Sequence, residues 1–362
     1  MKKQILVIGA GPYGIALANE LWNRGIDFTL VGIPFELWHE HTFHHSSLRS
    51  DRHTSEVSDP ENRYTLSEYL RRTSPTETSL RGRIPIDLFR AYLKDVEKRL
   101  PYPLVRQKVT TLSAVPEGFT AVLSDGEELL FRRVVVAAGI GAHRYLPSVL
   151  SHLTREKVVH SWDVQDLGAW TGLNILVVGA GQSAGESVAH LSKNNKVTWV
   201  RARPPVYYSE PLDLPKPIFK AILQVSPFFY FLPSYVKKIF GKKFVISTIT
   251  PDLQPVLESQ EVVRITARVE ELNMEEDKKS PFDVILACTG YRYHLNNLSF
   301  LSGDLKRRVK AVQGVPDLDF NFESSVAGLH FVGGIAEPSY GPAQRFMMGA
   351  EHAARRLGKH FC

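Results

Sequence analysis

The sequence predicts an α/β fold built from two Rossmann-like, three-layer dinucleotide-binding domains. Two stretches carry that expectation. In Ile5–Gly14, ILVIGAGPYG, four apolar residues of a buried parallel strand run into a glycine-rich turn. Ile175–Glu186, ILVVGAGQSAGE, repeats the device in mid-chain. A single GxGxxG is a weak signal, but the first is followed by a helix-compatible IALANELWNRG and a second strand, DFTLVG, so its βαβ context is present. In such a turn Gly9 allows the bend, Gly11 lets the backbone approach phosphates and Gly14 lets helix and strand pack closely. The helix N-terminus then offers free N–H groups and a positive dipole end to a pyrophosphate. Two nucleotide sites in one chain point to two dinucleotides that meet, and hydride transfer is the obvious reason.

The chain totals agree with this reading. A length of 362 residues suits about two domains. The net charge of +6 is that of a mildly basic enzyme handling anionic cofactors. No basic run is interleaved with stacking aromatics, so nucleic-acid binding is set aside. The two cysteines, Cys288 and Cys362, allow neither a CxxC pair nor a cysteine metal cluster, and a cytoplasmic setting is the simplest expectation. Met1, Lys2 and Lys3 lead straight into a strand rather than a cleavable apolar segment. The greasiest stretch, 218–233, holds Lys220, Pro227 and Pro233 and is too short to span a bilayer.

In chain order, residues 32–60 read as a polar, irregular cover over a cofactor. Their His39, His41, His44, His45 and His53 are read as loop histidines around a nucleotide, and no metal is expected. Thr65 is the N-cap of a helix with Glu68 at the capping-box position, and 87–100 is a second helix. Lys108–Val115, Phe119–Ser124 and Leu129–Phe131 read as an antiparallel meander with SDGEE at a hairpin turn. Val134–Gly139, VVVAAG, follows as a separate buried strand. Residues 143–160 pass between domains, and 174–200 form the second nucleotide-binding opening. Residues 204–255, rich in proline and aromatic residues with the basic end KKIFGKK, are an insertion. Ordinary domain packing, a substrate-pocket wall and a membrane-surface contact are all open to it. Val262–Leu272, PFDVILACTGY at 281–291 and GLHFVGG at 328–334 are strands, and Pro342–Leu357 reads as a closing helix.

The order GAGPYG, VVVAAG, VVGAGQSAGE, DVILACTGY, GLHFVGG resembles flavoproteins with two dinucleotide-binding domains. Within them it is most similar to class B flavin monooxygenases, the group of flavin-containing monooxygenases and amino-acid N-hydroxylases. Gln182 and Ser183 of GQSAGE, Trp38 with His39, Leu48, Ser50, DPENRYTLSEYL and the C-terminal SYGPAQRFMMGAEHAARRL carry the likeness over nearly the whole chain. One fingerprint departs: of FxGxxxHxxx(Y/F) only His160 matches, with Thr154 and Glu156 where Phe and Gly belong.

The resemblance implies a discontinuous FAD domain, residues 1–155 and 281–362, interrupted by an inserted NADP-binding domain, 156–280, that carries the insertion. FAD would meet Gly9, Gly11, Pro12, Tyr13 and Gly14 at the pyrophosphate, Trp38, His39, Val109, Ala138 and Gly139 along its length, and Gly333 and Gly341 near the end. The acidic ribose contact expected after the second strand is Gly32 here, and Glu36 is its substitute. NADPH would meet Gly179, Gly181, Gln182 and Ser183. Thr289 and Gly290 are further cofactor contacts. The strand Val197–Val200 ends in Arg201, with Arg203 beside it, and guanidinium groups suit a 2′-phosphate where a carboxylate would repel it. Cys288 is read as a packed, buried thiol. The implied reaction is an NADPH-dependent FAD monooxygenation, one oxygen atom of O2 passing to a small amine or sulfur nucleophile. A flavoprotein reductase serving a disulfide, ferredoxin or quinone is the alternative, and a non-catalytic nucleotide sensor is a third. No side chain announces itself as catalytic.

Overall fold

The computed structural model describes residues 3–50, 54–73, 83–154, 156–208, 226–233, 236–237, 247–272 and 281–362. It is a mixed α/β fold in which two largely parallel sheets each begin from one of the glycine motifs.

In the first sheet, Lys3–Ile8 lies between the parallel strands Phe28–Val31 and Glu128–Val136, with Val7 opposite Leu30 and Val135. Ile5, Leu6 and Val7 are buried on both faces of the sheet, which is why the run is continuously apolar. The helix Pro12–Asn23 returns across this sheet, and Gly358 of the last helix, Gly349–Phe361, lies against its Glu20 and Arg24. Glu128–Val136 does two jobs. Its first half pairs antiparallel with Gly118–Leu123 in the meander, and its second half pairs parallel with Lys3–Ile8 and with Leu329–Phe331. The expected separate strand at Val134–Gly139 is therefore the end of a nine-residue strand; no turn residue interrupts LLFRRVVV.

The second sheet is wholly parallel, in the order Val262–Thr266, Lys196–Arg201, Asn174–Val178, Val284–Ala287, Val158–His160. The helix Gln182–Leu191 buries Ala184, Val188 and Leu191 in the core beside Trp199 and Leu286. Val284–Ala287 pairs with Asn174–Val178, so the strand expected to open the returning first-domain segment at 281 belongs to the second sheet. Its four residues are buried there, and the chain returns to the first sheet only afterwards.

The closing helix also starts later than the sequence suggests. Pro342–Arg345 is a 3₁₀ turn, Phe346 is extended, and the α-helix begins at Gly349. Gly341 enters the turn at φ 92°, which starts the chain on a different course from a helix. Of the insertion, 204–208, 226–233, 236–237 and 247–255 are described, and the greater part of KKIFGKK lies outside the described residues. No helix among the described residues is long and apolar enough to cross a membrane.

Candidate active site

Each glycine turn opens onto a cleft, one of about 870 Å³ at the first sheet and one of about 660 Å³ at the second.

At the first cleft the backbone itself is the surface. Gly9 has φ 107°, and a Cβ on it would stand 2.2 Å from the Ala137 carbonyl oxygen. A Cβ on Gly14 would stand 1.8 Å from the Gly9 carbonyl oxygen, so turn and helix can close only over glycine. Gly9, Gly11, Pro12 and Tyr13 border the cleft while Gly14 packs behind them. Pro12 opens the helix at a position whose N–H has no intrahelical partner, so nothing is lost by its ring. Gly32 is where an acid was expected, yet a Cβ there would sit 2.5 Å from the Ala10 backbone nitrogen. The position has no room for Asp or Glu.

Glu36 does border the cleft and takes an ion pair from Lys108, Nζ to Oε1 2.7 Å. Trp38, Val109, Ala138, Gly139 and Gly333 also line it. His39 does not: its carbonyl accepts from Gln165 Nε2, and burial holds its imidazole below the usual histidine range. Its neighbour His41 lines the wall instead, stacked on Trp162 with ring centroids 3.9 Å apart. Gly341 also stands outside the lining, and a Cβ on it would meet the Phe229 ring at 2.8 Å. The Tyr13 hydroxyl lies 2.8 Å from the Gln344 carbonyl oxygen and 2.9 Å from that of Phe346. One side chain of the first turn thereby fixes the C-terminal wall of the cleft. Gln344 is fully buried in that wall, and neither end of its side-chain amide has a hydrogen-bond partner among the described residues.

At the second cleft the structure brings together Gly179, Gly181, Gln182, Ser183, Thr289 and Gly290. The Gln182 side chain is committed within the protein. Its Oε1 accepts from the Thr250 N–H at 2.9 Å and its Nε2 donates to Glu186 Oε1 at 2.9 Å. Burial raises the carboxyl pKa of Glu186, which also accepts from Ser46 Oγ at 2.8 Å. Arg201 does not reach the cleft. Its guanidinium stacks over Trp199, 4.4 Å from the centroid, because Trp199 lies two positions back on the same face of the strand. Arg203 donates to the Ser247 carbonyl at the rim, 3.3 Å. The cations that line the cleft are Arg49, Arg268 and Arg292, none of them anticipated; only the strand before Arg268 offered a signal. Cys288 is buried, and that burial pushes its thiol up to about 12. Among the described residues no three His, Cys, Asp or Glu come together as metal ligands, and His53 lies outside those residues.

The two clefts adjoin at four places along the chain. Arg49, Tyr145, Ser161 and Arg292 line the second, and their chain neighbours Ser50, Arg144, Trp162 and Tyr293 line the first. The junction is tied to itself: the Tyr145 N–H donates to the Gly290 carbonyl at 2.9 Å, and Thr289 Oγ1 donates to the Tyr145 carbonyl.

Comparison with known proteins gives three findings. The profile of the L-lysine 6-monooxygenase/L-ornithine 5-monooxygenase family matches residues 3–238. The chain is 26% identical over 211 residues to a probable indole-3-pyruvate monooxygenase, YUCCA9, of Arabidopsis thaliana, the match covering 56% of this chain and 47% of the relative. The matched stretch thus spans about half the length of that curated relative. Among solved structures, the ornithine N-hydroxylase of Kutzneria sp. 744 superposes with TM-score 0.78 at 14% identity, over 100% of this chain and 99% of that one. The FAD-bound cadaverine monooxygenase of Erwinia amylovora superposes with TM-score 0.77 at 15% identity, over 100% and 94%.

Proposed function

The chain belongs to the L-lysine 6-monooxygenase/L-ornithine 5-monooxygenase family, and from that membership we propose that it is an NADPH-dependent FAD monooxygenase acting on a small amine. The observation that carries the proposal is the adjacency of the two clefts, lined by neighbouring residues at four places along the chain, which would let dinucleotides bound at the two glycine turns approach each other. In this reading the first-sheet unit, up to about residue 155 and again from Thr289, holds FAD, and the unit between holds NADPH.

The residues fit these groups. The cradle at Gly9 and Gly14 is one that any Cβ would fill, and the N-terminus of Pro12–Asn23 presents its free N–H groups to a pyrophosphate. Glu36, held by its ion pair with Lys108, would accept from the adenosine ribose in place of the acid that Gly32 excludes. At the second turn Gly179, Gly181 and Ser183 would receive the NADPH pyrophosphate, and Arg268, which lines the same cleft, would take the 2′-phosphate in place of Arg201.

FAD, when bound, supplies the hydride and oxygen chemistry. The protein positions, orients and shields. Trp38, Trp162 and the His41 ring give the first cleft an aromatic wall that would shield a bound ring from water on that side. Cys288 is buried in the core of the second sheet and Cys362 is exposed at the end of the last helix, so the two do not stand together as the dithiol pair that a disulfide reductase needs. Of the 204–255 insertion, Ser247 and Thr248 line the second cleft, which supports its reading as a wall of the site.

The test is turnover. FAD-loaded protein is given NADPH, O2 and a panel of lysine, ornithine and cadaverine, and products are read by mass spectrometry. The proposal expects a product heavier by one oxygen atom, labelled when 18O2 is supplied. Unlabelled substrates, with all NADPH recovered as peroxide and water, would contradict it.

A further inference from the structure

We propose that the side-chain amide of Gln344 positions the flavin by pairing with the dioxopyrimidine edge of its ring, an inference that rests on the FAD reading of the first cleft. Gln344 is fully buried, yet its Nε2 and Oε1 have no hydrogen-bond partner among the described residues. An amide left that way loses its hydrogen bonds to water without replacement, a cost native structures rarely leave unmet. Leucine or methionine would fill the same space without that cost, so the amide is explained by a partner that arrives with a ligand.

Its place identifies the ligand. Gln344 sits in the 3₁₀ turn Pro342–Arg345 on the wall of the first cleft. That turn is fixed to the phosphate cradle, because the Tyr13 hydroxyl, two residues beyond Gly11, meets the Gln344 and Phe346 carbonyl oxygens. An adenosine half of the dinucleotide would be held at Glu36 and Lys108, leaving the remaining lining to its other half. Gln344, Phe346 and Met347 belong to that remaining lining, where the other half of the dinucleotide would lie. A primary amide presents a donor and an acceptor side by side in one plane. The dioxopyrimidine edge presents the complement, a ring N–H beside a ring carbonyl, and Phe346 and Met347 supply apolar contact at its flanks. Ordinary phosphate or ribose groups would call for cations or hydroxyls instead.

Two variants test the assignment, Gln344→Leu and Gln344→Met, the second conserving volume most closely. Three quantities are read: FAD dissociation by fluorescence, the visible spectrum and midpoint potential of bound FAD, and the thermal midpoint of FAD-free protein. Losing a two-bond pair is expected to weaken FAD binding about tenfold or more, and to shift the visible band and potential. The FAD-free variants are expected to melt at or above the wild-type temperature, since the orphaned amide is gone, and NADP⁺ affinity at the second cleft is expected to stay unchanged. Wild-type FAD affinity, spectrum and potential in both variants would overturn the role of Gln344 while leaving the FAD reading intact. A lowered FAD-free melting temperature with unchanged flavin signals would assign Gln344 to packing alone. Wild-type protein that takes up no FAD would overturn both.

Discussion

The Arg292 guanidinium lies on the face of the Tyr145 ring, 3.3 Å from its centroid, where the two clefts meet. Both residues line the second cleft, while Arg144 and Tyr293 beside them line the first. The contact joins the chain leaving the first sheet to the chain leaving the second. Tyr145→Ala removes the platform under Arg292, worth about 1 to 2 kcal/mol when partly desolvated. We expect the rate of flavin reduction by NADPH, measured by anaerobic stopped flow, to fall about tenfold with FAD affinity unchanged. Tyr145→Phe is expected to retain the rate.

The two arginine sites separate by coenzyme. Arg268→Ala is expected to raise KM for NADPH by about tenfold to a hundredfold, the range of a lost charge-assisted contact, and to leave KM for NADH unchanged. Arg201→Ala uncovers Trp199 and is expected to lower the melting temperature without changing the NADPH-to-NADH ratio.

Gly14→Ala places a methyl group 1.8 Å from the Gly9 carbonyl oxygen, backbone that cannot move aside alone. The expected result is loss of about 1 to 3 kcal/mol in stability, typical of overpacking, together with loss of FAD binding. Urea melts and FAD titration check both. Gly11→Ala has open space around its Cβ and is expected to fold normally.

Burial holds His45 and His143 down to about 4, against an ordinary 6.5. Between those values the unfolded chain takes up protons that the folded chain refuses. Stability is therefore fully present above about pH 6.5 and is lost as pH falls toward 4. His45→Phe keeps the ring between Phe43 and His190 and is expected to flatten that loss, read as melting temperature against pH.

How much of this was legible in the sequence depended on how local the cause was. The glycine turns could be read because the strand, Gly9 and Gly14 lie within twelve residues and their constraint is steric. Gly32 was legible only as a missing acid; its cause is the approach of the Ala10 backbone, set by the pairing of Lys3–Ile8 with Phe28–Val31. Arg201 carried the right charge at the right strand end, but strand alternation puts it on the Trp199 face, a matter of sheet register and not of composition. Arg268 was signalled only by the strand before it, and Arg49 and Gln344 were not singled out, because each reaches its cleft from a segment far from the glycine turn it faces. The late start of the last helix follows from Gly341 and Tyr13, whose contact with residues 344 and 346 competes with helical hydrogen bonding across more than 300 positions.

The central claim is tested most directly by reducing FAD-loaded protein with NADPH in the absence of oxygen, then mixing it with oxygenated buffer while the absorbance spectrum is followed. The account predicts full reduction by NADPH, then a long-lived spectrum distinct from both the oxidised and the reduced forms before oxidised FAD returns. Failure of NADPH to reduce the flavin, or a direct return to the oxidised spectrum with release of hydrogen peroxide, would contradict it.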